Sequence, residues 1–185
     1  MAGLGNPGER YRRTRHNAGL MAVDVLAARA RAAGRVDGDV WVAEVALGGG
    51  PALLVKPLAF MNASGPPVAR ALAAHGGSPA DLVVLVDDVA LELGTIRVRE
   101  RGSHGGHNGL RSLVETLGTE DFARVRIGVR RGDLPEDLAG YVLDDFPPEE
   151  VLVVQEAVGL AADAVLCLLE EGPAAAMNRF NARRL

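Results

Sequence analysis

Leu82-Val83-Val84-Leu85-Val86 is an unbroken aliphatic run, and it limits the possible folds more than any other stretch of the chain. An alternating strand can leave one face in water. A strand that is apolar at every position must be covered on both faces, which places it inside a sheet with helices on either side.

The flanking sequence supplies those layers. Residues 19–33 carry Leu20, Val23, Val25, Leu26 and Ala30 on an amphipathic helix, with Gly34 as the expected stop. Residues 40–47 and 52–55 read as strands joined through Gly48-Gly49-Gly50-Pro51. Ser64 is placed to cap a helix running to about His75, where Gly76-Gly77 ends it. Residues 95–99 alternate between an apolar and a charged face. A helix over 108–117, a strand over 125–129, a long helix from Pro147 to Glu171, a break at Gly172-Pro173 and a short helix over 174–181 follow. The series predicts one α/β domain over residues 1–185, with a mixed, largely parallel twisted sheet flanked by helices on both faces. The acidic, proline-containing residues 133–150 are weakly periodic and are expected to be the most mobile segment.

At 185 residues and 48% hydrophobic content the chain can build a sizeable aliphatic core without staples. Cys167, its one cysteine, lies in an apolar helical run, which excludes an intramolecular disulfide and suits a reducing compartment. No apolar stretch is expected to reach the roughly 18 residues of a membrane span, and no apolar signal-peptide region follows the first basic residues, so a cytoplasmic protein is expected. The net charge of −4 argues against indiscriminate coating of nucleic acid, yet the arginines gather at 10–15, 97–101, 124–131 and 180–184.

Four constellations carry chemistry. The first is Gly3-Leu4-Gly5-Asn6-Pro7-Gly8 followed by an arginine-rich stretch to His16-Asn17, a segment suited to holding a polar or anionic substrate beside a titratable base. Its glycines, with Asp24 further on, satisfy the letter of a dinucleotide-binding fingerprint. Only Met1-Ala2 precede Gly3, however, and no periodic helix opens at Gly8, so the context counts against a nicotinamide enzyme. The second is a set of asparagines, Asn6, Asn17, Asn62 and Asn108, beside glycine turns, a histidine or helix starts; Asn17 is read as a helix cap, and Phe60-Met61-Asn62 as a pocket wall next to an orienting amide. Ser64 lacks the flanking pattern of a nucleophile elbow.

The third constellation is His104-Gly105-Gly106-His107-Asn108-Gly109. It reads as backbone N–H groups and an amide presented at a helix start, with a metal site at the two histidines as the alternative. The fourth is Asp87-Asp88, following the apolar strand at the end where α/β sheets bind ligands. An aspartate there is either a solvated turn residue or the orienting partner of a histidine, for which His16 is the candidate; His75 has nothing to recommend it.

Taken together, the segments 3–19, 56–65, 86–88, 105–110 and 122–128 resemble the bacterial peptidyl-tRNA hydrolases, in order and over nearly the whole chain. The resemblance implies hydrolysis of the ester between a nascent peptide and tRNA, with His16 as catalytic base, Asp87 as its carboxylate partner and Asn6 discriminating peptidyl-tRNA from aminoacyl-tRNA. It implies that Asn62 and Asn108 contact the peptide, the terminal ribose or the attacking water, and that Tyr11 and Phe60 line the pocket with Met61 and His107 close by. Arg99 and Arg126 stand where basic residues clamp tRNA phosphates. No metal, cofactor, membrane or obligate protein partner is implied, and a monomer is expected. The chain departs from the family pattern in its short lead into Gly3, in Val89-Ala90 after Asp88, and in Arg130-Arg131-Gly132, which could extend the basic surface. A non-catalytic RNA-binding relative would share the arginines and glycines; the retained His16 and Asp87 disfavour it.

Overall fold

The computed structural model describes residues 1–182, so Arg183 and Arg184 of the C-terminal arginine group lie outside the described residues. Its strands are β1 (Ala2–Gly3), β2 (Arg35–Asp37), β3 (Val40–Leu47), β4 (Gly50–Pro57), β5 (Val83–Glu92), β6 (Ile96–Arg99) and β7 (Ala123–Arg130). They form one sheet in the order β2-β3-β4-β1-β5-β7-β6. The central ladders β4–β1, β1–β5 and β5–β7 are parallel, whereas β2–β3, β3–β4 and β7–β6 at the flanks are antiparallel. The helices are α1 (Ala18–Arg29), α2 (Gly65–Ala74), α3 (Asn108–Leu117), α4 (Leu138–Leu143), α5 (Val151–Glu171) and α6 (Pro173–Phe180).

The apolar run of β5 behaves as a doubly covered strand should. Val83 and Leu85 join a core built with α1, α5 and α6, and Leu82, Val84 and Val86 join a second core beneath α2 and α3. The alternation of β6 and β7 divides them in the same way. Ile96, Val98, Val125 and Ile127 enter the first core, and the arginines between them share the opposite face.

Several local expectations are corrected. Helix α1 ends at Arg29 because Arg31 adopts φ 51° and the Ala32 N–H closes back on Ala27 O at 2.9 Å, a left-handed stop that needs no glycine. Gly34 serves instead to let the Trp41 ring lie against the backbone, since a Cβ there would fall 2.0 Å from that ring. Ser64 is fully buried and makes no capping bond; the Gly65 N–H at the start of α2 is satisfied by Ser112 Oγ of α3 at 2.9 Å. β2 has no counterpart in the sequence reading, being an exposed three-residue edge.

Helix α5 is, by length and composition, apolar enough to cross a membrane, a property hidden from a search for uninterrupted runs by Gln155, Glu156 and Asp163. Half of that stretch is buried in this fold, with Ala157, Ala161 and Val165 in the first core. Residues 133–150 are not featureless either. They contain α4, a β-bridge from Asp145 to Thr14, and Glu150, which is buried against Arg15. At the outer edge of the sheet, Asn181 accepts the Val98 N–H at 2.7 Å and donates to Val98 O at 3.2 Å, fastening the end of α6 to β6.

Candidate active site

Three loops meet at the carboxyl ends of the parallel strands: the one after β1, the one after β4 and the one before α3. This is where an α/β sheet leaves a crevice. α1 lies so close to β5 that a Cβ on Gly19 would sit 2.2 Å from Leu85 O. That contact brings the preceding 3₁₀ turn, Arg15–Asn17, over the strand that carries Asp87.

His16 and Asp87 are both buried and bonded, with His16 Nδ1 2.9 Å from Asp87 Oδ1 and 3.0 Å from Oδ2. A second imidazole reaches the same carboxylate, His107 Nε2 lying 2.9 Å from Oδ1. Burial alone would raise the Asp87 carboxyl, but His107 and His16 together outweigh it and hold the group below the ordinary carboxylate range. An ionised carboxylate can only accept, so both facing nitrogens carry hydrogen. His16 is thereby left with an unprotonated Nε2 whenever its ring is neutral.

Asn6 is fixed from three directions. Its backbone N–H donates to Asn17 Oδ1 at 2.7 Å, its carbonyl accepts from Asn17 Nδ2 at 3.0 Å, and its side-chain Oδ1 accepts the Met61 N–H at 2.8 Å. Because Oδ1 is engaged with a donor, Nδ2 is a hydrogen-bond donor without a protein partner among the described residues. Asn17 therefore does something other than cap a helix: its amide clamps the backbone of Asn6 and ties it to the His16 turn.

The remaining expected residues sit around this network without all joining it. Tyr11 and Phe60 meet edge to face with centroids 6.4 Å apart, and Phe60 is exposed. Met61 is buried under the first turn of α3, where a Cβ on Gly109 would touch its sulfur. Asn62 and Asn108 are exposed, adjoin Met61 and His107, and make no side-chain hydrogen bond among the described residues. Of the two histidines weighed as a metal pair, His104 turns to accept the Gly106 N–H at 3.1 Å. Among the described residues the side chains that could together hold a metal are instead His16, Asp87 and His107, and each histidine is already hydrogen-bonded to Asp87.

Arg99 and Arg126 lie on one face of the β6–β7 ladder, in which Arg97 opposes Arg126 and Arg99 opposes Arg124. Arg97 and Arg99 are exposed, and Arg126 is held by Asp88, Nε to Oδ2 3.1 Å. Arg124 is buried beneath them, bonded to the carbonyls of Gly102, Ser103, Glu120 and Phe122, and so pins the loop leading to His107. Burial and the neighbouring Arg126 pull its guanidinium down to about 10. Arg15 is likewise internal, bonded to Glu150 at 2.9 Å and to Asp145 O at 2.9 Å, with its guanidinium over the Tyr141 and Phe146 rings. The sequence places both in arginine-rich segments without showing that they are buried; the aromatic Tyr141 and Phe146 in an otherwise acidic stretch are the available hint for Arg15. Arg130 and Arg131 extend the basic surface only partly, being placed near Glu92 and Glu150.

A buried carboxylate-oriented imidazole in the crevice of an α/β sheet, with a fixed amide donor beside it, defines an α/β enzyme equipped for acid–base chemistry. The family model described as peptidyl-tRNA hydrolase matches residues 1–185, and the chain belongs to that family. It is 48% identical over 181 residues to the peptidyl-tRNA hydrolase of Rubrobacter xylanophilus, covering 98% of this chain and 99% of the relative. To that of Brevibacillus brevis it is 43% identical over 191 residues, covering 97% and 95%. The crystal structure of peptidyl-tRNA hydrolase from Acinetobacter baumannii superposes with a TM-score of 0.92 at 32% identity, covering 99% of this chain and 94% of that one. The family overturns the nicotinamide alternative. A strand does end at Gly3, but a short 3₁₀ turn over Glu9–Tyr11 follows Gly8, and the first helix begins only at Ala18.

Proposed function

We propose that this protein hydrolyses the ester joining a nascent peptide to the 3′ end of tRNA in the cytoplasm, with water activated by His16, and so returns tRNA from stalled peptidyl-tRNA to translation. The observation that carries the reading is the buried 2.9 Å contact of His16 with Asp87, together with Asn6, which is tied to the His16 turn through Asn17 and whose amide donor has no partner among the described residues. His16 Nε2 takes a proton from water as the water oxygen bonds to the peptide's terminal carbonyl carbon. The tetrahedral intermediate collapses, the ribose oxygen leaves and recovers a proton from the imidazolium, and the products are a peptide acid and a tRNA with a free hydroxyl. Asparagine side-chain N–H groups face the developing oxyanion; the backbone N–H groups of Gly106 and Gly109 are engaged with His104 and His107 instead. Tyr11, Phe60 and Met61 wall the pocket, and Asn62 and Asn108 reach the peptide, the ribose or the water. The chemistry calls on no cofactor.

Single-turnover cleavage of peptidyl-tRNA, compared with aminoacyl-tRNA, tests this reading. Cleavage no faster than buffer would overturn it in favour of an RNA-binding role. Asn6→Asp keeps the acceptor for Met61 N–H and removes the donor, so it should narrow the preference for peptidyl-tRNA by about 10²-fold or more. An intact preference would move discrimination to another residue.

Arg99 and Arg126 contribute affinity through phosphate and carry little sequence information. Arg126→Ala should raise KM for different elongator tRNAs alike and reduce the steepness of the salt dependence by about one phosphate contact. The same slope in wild type and variant would place the tRNA backbone elsewhere.

A further inference from the structure

His107 is the residue whose geometry the hydrolytic reading leaves unused. It occupies the N-cap position of α3, and its Nδ1 accepts two backbone N–H groups, Gly109 at 3.2 Å and Leu110 at 3.3 Å. A ring nitrogen that accepts holds no hydrogen, and the positive end of a helix dipole disfavours placing one there. The proton of the neutral ring is therefore on Nε2, the atom 2.9 Å from Asp87 Oδ1. The left-handed Gly105 and Gly106, φ 56° and 84°, turn the loop so that the ring can touch helix and carboxylate at once.

We propose that His107 is a positioning residue: the helix cap locks it as a neutral Nε2–H donor, and this second bond to Asp87 limits how strongly the carboxylate holds a proton on His16. The proposal rests on His16 being the base. A carboxylate with one donor concentrates its charge on that donor; with two it is shared. His107 thus sets the pH at which His16 becomes free to accept a proton. Other charged groups nearby are paired elsewhere or face solvent. Asp88, the next residue on β5, is paired with Arg126 of β7; Arg15 beside His16 is paired with Glu150; Arg10 stacks on Tyr11; and Arg111 of α3 is exposed.

The two ring nitrogens can be tested separately, because an asparagine amide reaches about as far as Nδ1 and a glutamine amide about as far as Nε2. His107→Asn keeps a good helix cap and loses the donor to Asp87. It should retain the wild-type Tm while the acid limb of kcat/KM moves to higher pH by about one unit. His107→Gln keeps the donor and loses the cap, so the limb should return towards the wild-type position while Tm falls. NMR titration of the His16 ring in both variants gives a reading independent of turnover. An unmoved His16 titration in His107→Asn overturns the proposal, as does a pair of variants that change Tm alone. A His16 titration that moves while the pH–rate profile stays fixed upholds the role of His107 and sinks His16 as the base.

Discussion

Replacing His16 by Ala should lower kcat on peptidyl-tRNA by about 10²–10⁴-fold and leave tRNA affinity nearly unchanged. The asymmetry follows from placement. His16 is buried against Asp87 at the carboxyl end of β5, whereas the exposed arginines lie on the β6–β7 ladder beyond it. Phosphate contacts do not depend on the imidazole, so filter binding or fluorescence titration should give similar affinities for both proteins. The small side chain opens space in the site, and External imidazole should therefore restore part of the lost rate. A variant that turns over at close to the wild-type rate would remove His16 from the mechanism.

Asp87→Asn should be similarly damaging, about 10³–10⁴-fold in kcat, although it is nearly isosteric. His107 presents an N–H to this position and takes the amide oxygen, leaving the amide NH₂ to face His16 Nδ1. The imidazole then keeps its proton on Nε2, the nitrogen needed to receive one from water. The charge that would stabilise an imidazolium is lost at the same time. Two independent losses distinguish this variant from one that is merely misfolded, and a circular dichroism melt should show a cooperative fold. A pH–rate curve superimposable on that of the wild type would mean that Asp87 and His16 do not act together.

The fold was legible where the chain repeats itself. The aliphatic run of β5 and the alternation over 95–99 follow from which faces meet solvent, and both cores respect that division. Helix ends were read less well because they depend on single residues in special conformations, such as Arg31, or on a partner far along the chain, such as Ser112 for Gly65. In the site, His16 and Asp87 were visible by type and position, and they are in contact. The clamp between Asn17 and the Asn6 backbone was not, since an amide bonding to main chain leaves no periodicity. Nor was the burial of Arg15 and Arg124, whose charge suggested a surface until the carbonyls, Glu150 and the aromatic rings around them came into view.

The amide of Asn181 has one further consequence. β6 is the last strand on its side of the sheet, and an unguarded outer strand offers main-chain donors and acceptors to any extended chain that drifts alongside. By occupying both polar groups of Val98, one side chain imitates a neighbouring strand that stops after a single residue. Asn181 thus guards this one edge of the sheet against self-templated growth, at the border next to the basic face, without covering the arginines that face outward there.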